Sequence, residues 1–243
     1  IAFDLADRVA KMHDIDIATP LRELLKTNGK ELSALILSKE IALGKYLPED
    51  ATLEERLDLA VRVGLAIVTE GVTIAPLQGI SEIKIKKNKD GTEFLSVSIA
   101  GPMRSAGGTE SAVTMLIADH VRKAVGLSNY QANSFDDETG RFVEELRIYE
   151  REASSFQFHV LDEDITTVIA NLPVELDGVD TDPYEVVNHR NMERIDTDRV
   201  RGGALRVLND GLIGRAKKLL KRIELYNLDG WQWLNDLKGA IQT

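Results

Sequence analysis

Two changes of hydrophobic period predict an α+β fold, with an N-terminal helical layer followed by a β-hairpin or small sheet packed with long helices. Apolar residues recur at helical spacing up to Ala75-Pro76, alternate with lysine and serine between Ile83 and Ile99, and return to helical spacing beyond Thr109. The first change divides the 243 residues into a helical subdomain, 1–76, and an α+β subdomain, 77–243.

In the first part, Leu5, Val9 and Met12 mark a short helix, and Leu21, Leu24 and Leu25 mark a second that stops near Asn28-Gly29. Leu32, Leu35, Ile36, Ile41 and Leu43 continue at helical spacing up to Gly44. Thr52 and Glu55 form a capping-box pattern ahead of Leu53, Leu57, Ala60, Val61, Leu65 and Val68. These stripes read as core faces. Ile83 and Ile85, then Phe94 to Ile99, predict two strands joined by the corner Asn88-Lys89-Asp90-Gly91. Lys84, Lys86, Lys87 and Lys89 charge the hairpin's tip and outer face, where they either protect an edge strand or touch a nucleic-acid backbone.

The second strand leads into Gly101-Pro102-Met103-Arg104-Ser105-Ala106-Gly107-Gly108-Thr109-Glu110, and a helix carrying Val113, Leu116, Ile117, His120, Val121 and Ala124 follows as far as Gly126. The first amides of a helix have no partner within it and carry partial positive charge. Gly107 and Gly108 leave those amides open, Arg104 and Ser105 add donors, and Thr109 completes the segment. Such a loop suits a phosphate. The alternative is a tight corner with Arg104 paired to a neighbouring carboxylate. The segment matches neither the Walker loop nor the dinucleotide fingerprint.

Ser134 to Arg151 reads as a charged amphipathic helix with Phe142, Val143, Leu146 and Tyr149 inward and Arg141 beside Glu145. Phe156-Gln157-Phe158 is a short strand candidate, and Asp162 begins a helix through Ile169 that stops before Pro173. Val174 to Leu176 and Glu185 to Asn188 are strand candidates flanking an acidic turn, with Asp177, Asp180 and Asp182, that reads as solvated because it lacks a calcium-loop pattern. Asp198 caps a long basic helix from about Val200 to Tyr226, with Leu205, Leu208, Leu212, Ala216, Leu219 and Ile223 on one face. Gly202 and Gly203 in its first turn cost about 1 kcal/mol each relative to alanine, which close approach by another backbone or by a phosphate would justify. Arg199, Arg201 and Arg206 lie beside them, making a second glycine corner flanked by guanidinium groups; whether the two corners meet is open. Trp231, Trp233 and Leu234 read as a short packing helix. His120, in an apolar stripe with no ligand at i+4, reads as packed, and no metal is assigned.

The formal charge of -10 argues against a surface that grips nucleic acid everywhere. Charge is nevertheless segregated. No Lys or Arg occurs from Ala153 through His189, where eight acids accumulate, whereas Arg199 to Arg222 carries eight basic residues against Asp210 alone. The absence of cysteine excludes disulfides and cysteine-based zinc sites in these residues. No run approaches the roughly twenty apolar residues of a membrane span, so no membrane partner and a cytoplasmic location are expected. A chain opening at Ile1 is expected to be a trimmed piece of a longer one.

Gly101 to Glu110 resembles the Gly-Pro-x-Arg-Ser-x-Gly-Gly-Thr segment of the large subunit of archaeal family-D DNA polymerase. Val200-Arg201-Gly202-Gly203-Ala204-Leu205-Arg206-Val207 resembles that family's Leu/Val-Arg-Gly-Gly-Ala segment. Thr69-Glu70-Gly71, Ala75 to Ile80 and Asp229 to Leu234 are similar too, in the same order, and together they identify the N-terminal portion. The resemblance implies part of a replicative polymerase that extends a primer 3′ end, with three partners: the remainder of the large subunit, a small subunit carrying 3′-5′ exonuclease activity, and DNA. It also implies magnesium for the full-length enzyme, held by aspartates further along; no catalytic residue and no cofactor is carried onto this chain. Self-association is left open.

Three functions are compatible with these residues. In the first, the chain is an accessory domain whose Arg104, Ser105, Gly107, Gly108, Thr109, Arg199, Arg201, Gly202, Gly203 and Arg206 contact DNA backbone. In the second it is an assembly module, with the same arginines paired to carboxylates. The third is an autonomous phosphate-transfer enzyme using Glu110 and Asp119 as acids or bases.

Overall fold

A computed structural model describes residues 4–153 and 156–239, together with the backbone of 241–242. It has the α+β architecture expected, with helices around a three-stranded mixed sheet.

Helix α1 (Leu5–His13) is capped by Asp4, whose carboxylate accepts from the Asp7 amide at 2.9 Å. Helix α2 (Ala18–Ala42) is kinked at Gly29, where the backbone leaves the helical region with φ 73°. The stop expected at Asn28-Gly29 is present as a kink between two helical segments. Helix α3 (Leu53–Val68) opens with the expected capping box: Thr52 Oγ1 accepts from the Glu55 amide at 3.2 Å, and Glu55 Oε2 from the Thr52 amide at 2.7 Å. Arg62 of α3 donates to the carbonyls of Pro76 and Leu77, tying the helical layer to the turn before the sheet.

Strands β1 (Ile80–Lys87) and β2 (Glu93–Ile99) form the hairpin, with Ile83 opposite Val97 and Ile85 opposite Leu95. Next come α4 (Gly108–Val125), closed by Gly126 at φ 78°, and α5 (Phe135–Glu152). Strand β3 (Phe158–His159) precedes α6 (Asp162–Asn171), and β4 (Glu175–Gly178) pairs parallel to β2. The sheet order is β1-β2-β4, so β2 is central, and every residue from Phe94 to Ile99 is buried. The hairpin lysines are largely engaged: Lys84 pairs with Glu82, Lys86 with Glu175 and Asp177, and Lys89 donates to the Asn133 carbonyl.

Two expected elements are corrected. Of Glu185 to Asn188 only Glu185 bridges, to Arg199, because the amides of Val187, Asn188 and His189 donate instead to the Glu144 carboxylate. The long basic helix is not continuous. Helix α7 (Gly202–Arg206) runs into a π-helical stretch, Val207–Ile213, and helix α8 (Ala216–Tyr226) starts anew after Gly214-Arg215. The break lies where Gly214 meets the Phe158 ring with no room for a Cβ. Asp198 is not its cap either, since it accepts from the Asn191 amide at 2.8 Å and pairs with Arg190. A 3-10 turn, Gln232–Asp236, buries Trp233 and Leu234, and β5 (Ile241–Gln242) pairs with β3.

A single apolar cluster runs from Ala6 and Val9 through α2, α3, α4 and the sheet to Trp231. Helix α4 lies at its centre, with Val113 to Ala118 all buried. His120 on that helix contacts the Leu35 carbonyl of α2 at 2.9 Å, and burial lowers its pKa, as a packed histidine requires.

Candidate functional site

The two glycine corners meet, and what they meet is each other's main chain. Gly203, at the start of α7, lies against Ala100, whose carbonyl oxygen would stand 2.5 Å from a Cβ on Gly203. Gly202 faces Thr181 and the Tyr149 ring, and its amide donates to Thr181 Oγ1 at 2.8 Å. Gly108, at the start of α4, sits on the Asp210 carbonyl, where a Cβ would collide with backbone. Gly203 and Gly108 therefore serve close approach of backbones, one of the two reasons the sequence allowed, whereas Gly202 makes room for the Thr181 and Tyr149 side chains.

Arg201 is sealed, with its side chain 1% exposed. Its guanidinium donates to Glu145 Oε2 at 2.6 Å and to Asp177 Oδ1 at 2.9 Å, and it lies over the Phe142 ring. Burial works against the charge, but the two carboxylates outweigh it and hold the Arg201 pKa above its ordinary range. From here a chain of alternating charge crosses the fold. Arg141 meets Glu145 at 3.1 Å, as their spacing on α5 predicted, and Glu145 meets Arg201; Arg201 meets Asp177; Asp177 and Glu175 meet Lys86 at 3.2 and 2.6 Å. Burial raises Asp177's pKa, yet Arg201 and Lys86 bring it below its usual value; at Glu175 burial prevails over Lys86 and the pKa is raised. Arg206 is spent on Asp210 at 2.7 Å.

The acidic turn is thus not simply solvated. Asp177 faces Arg201, Asp182 faces Arg104 at 3.3 Å, and Asp180 faces Arg199 at 3.6 Å. Glu145, Asp177 and Tyr149, which the sequence reasoning did not single out as site residues, are the partners of those it did, and Lys86 joins them through Asp177. The signal was present in the segregated charge: an acid-only block and a basic block of similar size, a short distance apart in sequence.

The first corner is more open. Arg104 is about a third exposed; it donates to the Gly101 carbonyl and to the Tyr149 hydroxyl, the bond that chiefly raises its pKa. Ser105 and Gly107 are exposed, and Gly108 and Thr109 are partly buried. The space over Gly107 is taken by the carboxylate of Glu110, so the positive end of α4 is complemented by an acid of its own first turn. Beside it a hollow of about 460 Å³ is lined by Ser105, Gly107, Glu110, Lys30, Glu70 and Arg222. Asp119, a candidate acid for phosphate transfer, is wholly buried and bound to Arg122, Lys123 and the Trp231 indole, which removes it from any such role. Among the described residues no group of three His, Asp or Glu is placed to hold a metal ion, and no helix is long and apolar enough to cross a membrane.

A family model described as "DNA polymerase II large subunit DP2, N-terminal" matches residues 1–240. The chain is 79% identical over its whole length to the DNA polymerase II large subunit of Cenarchaeum symbiosum, of which it covers 22%. It is 42% identical over 98% of its length to that of Methanococcus vannielii, covering 21%, and 40% identical over 98% to that of Thermococcus kodakarensis, covering 13%. The chain spans about a fifth or less of these relatives. With its two glycine-arginine segments packed against each other in one α+β fold, the chain belongs to the family of N-terminal regions of the DNA polymerase II large subunit.

Proposed function

We propose that this chain is the non-catalytic N-terminal module of a replicative DNA-directed DNA polymerase of archaeal family D, and that its glycine-arginine segments brace the module instead of gripping DNA. The family match supports the first part. The burial of Arg201 between Glu145 and Asp177 carries the second: a guanidinium 1% exposed and held by two carboxylates is out of reach of an external phosphate. Nucleotide addition, the magnesium it needs and the small exonuclease subunit are assigned to the whole polymerase. The residues described here do not fit a magnesium site, so no chemical step is placed on them.

The test is Arg201→Met in the assembled two-subunit polymerase. A lowered melting temperature with an unchanged salt dependence of primer-template binding is expected. An unchanged melting temperature with a salt slope shallower by about 0.9 would overturn the brace, because that is the signature of one lost phosphate contact.

One observation favours a second reading for the first corner. Arg104, Ser105 and Gly107 reach the surface, and a backbone phosphate seated there would have to compete with Asp182 for Arg104 and with Glu110 for the helix end.

A further inference from the structure

We propose that the outer face of α8, through Lys217, Lys218 and Lys221, is a docking surface for the DNA phosphate backbone. The proposal rests on the reading of the whole protein as a DNA polymerase, but not on the brace.

The basic residues of the two corners are engaged, whereas these three are not. All three are exposed, and among the described residues no ion pair or hydrogen bond engages their side chains. That is notable in a chain with 40 acids to 30 basic residues, where counter-ions are plentiful. Helix α8 itself offers one acid, Glu224, near its far end. Lys217 and Lys218 also stand in the first turn, where the helix's own partial positive charge repels them. An external anion relieves that repulsion.

The face is held rigidly. Leu219, Ile223 and Tyr226 are buried on the opposite side, and Arg222 and Tyr226 both bind Glu31 of α2. Arg215, just before the helix, is fixed by Gln157 at 2.9 Å and lies over the Phe158 ring. A hollow of about 380 Å³ at the helix start has Arg215, Lys217 and Lys218 in its lining, together with Leu220, Leu234, Asn235 and Leu237. Lys217 and Lys221 are one turn apart, about 6 Å along the axis at 1.5 Å per residue. Over that distance duplex DNA presents several charges, at about one per 1.7 Å. Flexible lysine stems ending in point charges suit a regularly spaced polyanion and do not read bases.

The experiment is a salt titration of primer-template binding by the assembled two-subunit polymerase, comparing wild type with Lys217→Ala/Lys218→Ala/Lys221→Ala. A control variant, Lys26→Ala/Lys45→Ala/Lys84→Ala, removes three lysines already in ion pairs. The expected result is a log-log slope shallower by about 2–3 in the α8 variant alone, with its melting temperature unchanged. A slope equal to wild type overturns the proposal. So does loss of the small subunit from the α8 variant at an unchanged slope, which would assign the face to an acidic protein surface. Absence of any primer-template binding by the wild-type complex would overturn this proposal and the polymerase reading together, while the Arg201 melting test stands apart from both.

Discussion

Gly203 and Ala100 are packed main chain to main chain, the Ala100 carbonyl oxygen standing where a side chain on Gly203 would begin. Through this contact the end of strand β2 and the start of α7 share one position in space. The residues that look most like ligand-binding loops in the sequence are thereby each other's ligands.

Gly203→Ala is expected to destabilise the chain by about 1–3 kcal/mol, the usual cost of overpacking. Alanine's better helix propensity offsets at most about 1 kcal/mol of it. The obstructing atom is a backbone oxygen and has no rotamer by which to retreat. Chemical denaturation decides this, and a stabilised variant would show that the contact is looser than the geometry states.

Arg201→Met leaves Glu145 and Asp177 buried and short of a partner, at a cost of about 3–5 kcal/mol. Arg201→Lys should recover little, because one ammonium does not replace a fork that engages Glu145 through two nitrogens and Asp177 through a third. A double-mutant cycle with Glu145→Gln measures the coupling, which is expected to exceed 1 kcal/mol.

Arg104→Ala, by contrast, removes a half-solvated pair and should change stability by less than about 1 kcal/mol. Thermal melts of the Arg104 and Arg201 variants side by side test the difference between the open and the sealed corner.

Acid should weaken the fold through His13. Burial is the main reason its pKa falls from 6.5 to about 4, Arg62 adding to it, and its Nε2 has no partner. The folded chain therefore keeps the ring neutral while the unfolded chain protonates it below about pH 6.5. Stability is lost as pH falls from there and the loss is complete below about pH 4. By linkage it amounts to about 2–3 kcal/mol after allowing for the ring's partial exposure. Urea unfolding at pH 7.5 and 4.5 should show a smaller acid loss in His13→Leu than in wild type. Equal losses would mean that His13 titrates normally in the folded chain.

Trp231 donates to the buried Asp119 carboxylate at 2.8 Å and stacks on Trp233 with ring centres 5.6 Å apart. Trp231→Phe deletes that donor and should cost about 1–3 kcal/mol. Near-ultraviolet circular dichroism should lose the signal of the coupled indoles at the same time.

Local chemistry was legible from the residues alone. Thr52 and Glu55 specify a capping box, Asn88 to Gly91 a hairpin corner, Gly126 a helix end and Arg141 with Glu145 a helical ion pair, because each depends on neighbours within a few positions. The continuous helix through Gly214 failed for the opposite reason: its apolar periodicity is sound, but the hydrogen bonds widen to π spacing over Val207–Ile213 and Arg215 leaves the helical backbone at φ -116°, which side-chain spacing does not report.

By itself the sequence determined the α+β class, the helical layer, the hairpin and the family, all of which follow from periodicity, turn chemistry and ordered motifs. It also determined that Gly202 and Gly203 needed something to come close. Only the tertiary structure decided that backbone comes close to Gly203 and side chains to Gly202, and that Asp177 and Glu145 take up Arg201, leaving the lysines of α8 to face solvent. Identity and spacing establish what a charged side chain is able to bind, whereas burial and the folded positions of opposite charges establish what it does bind.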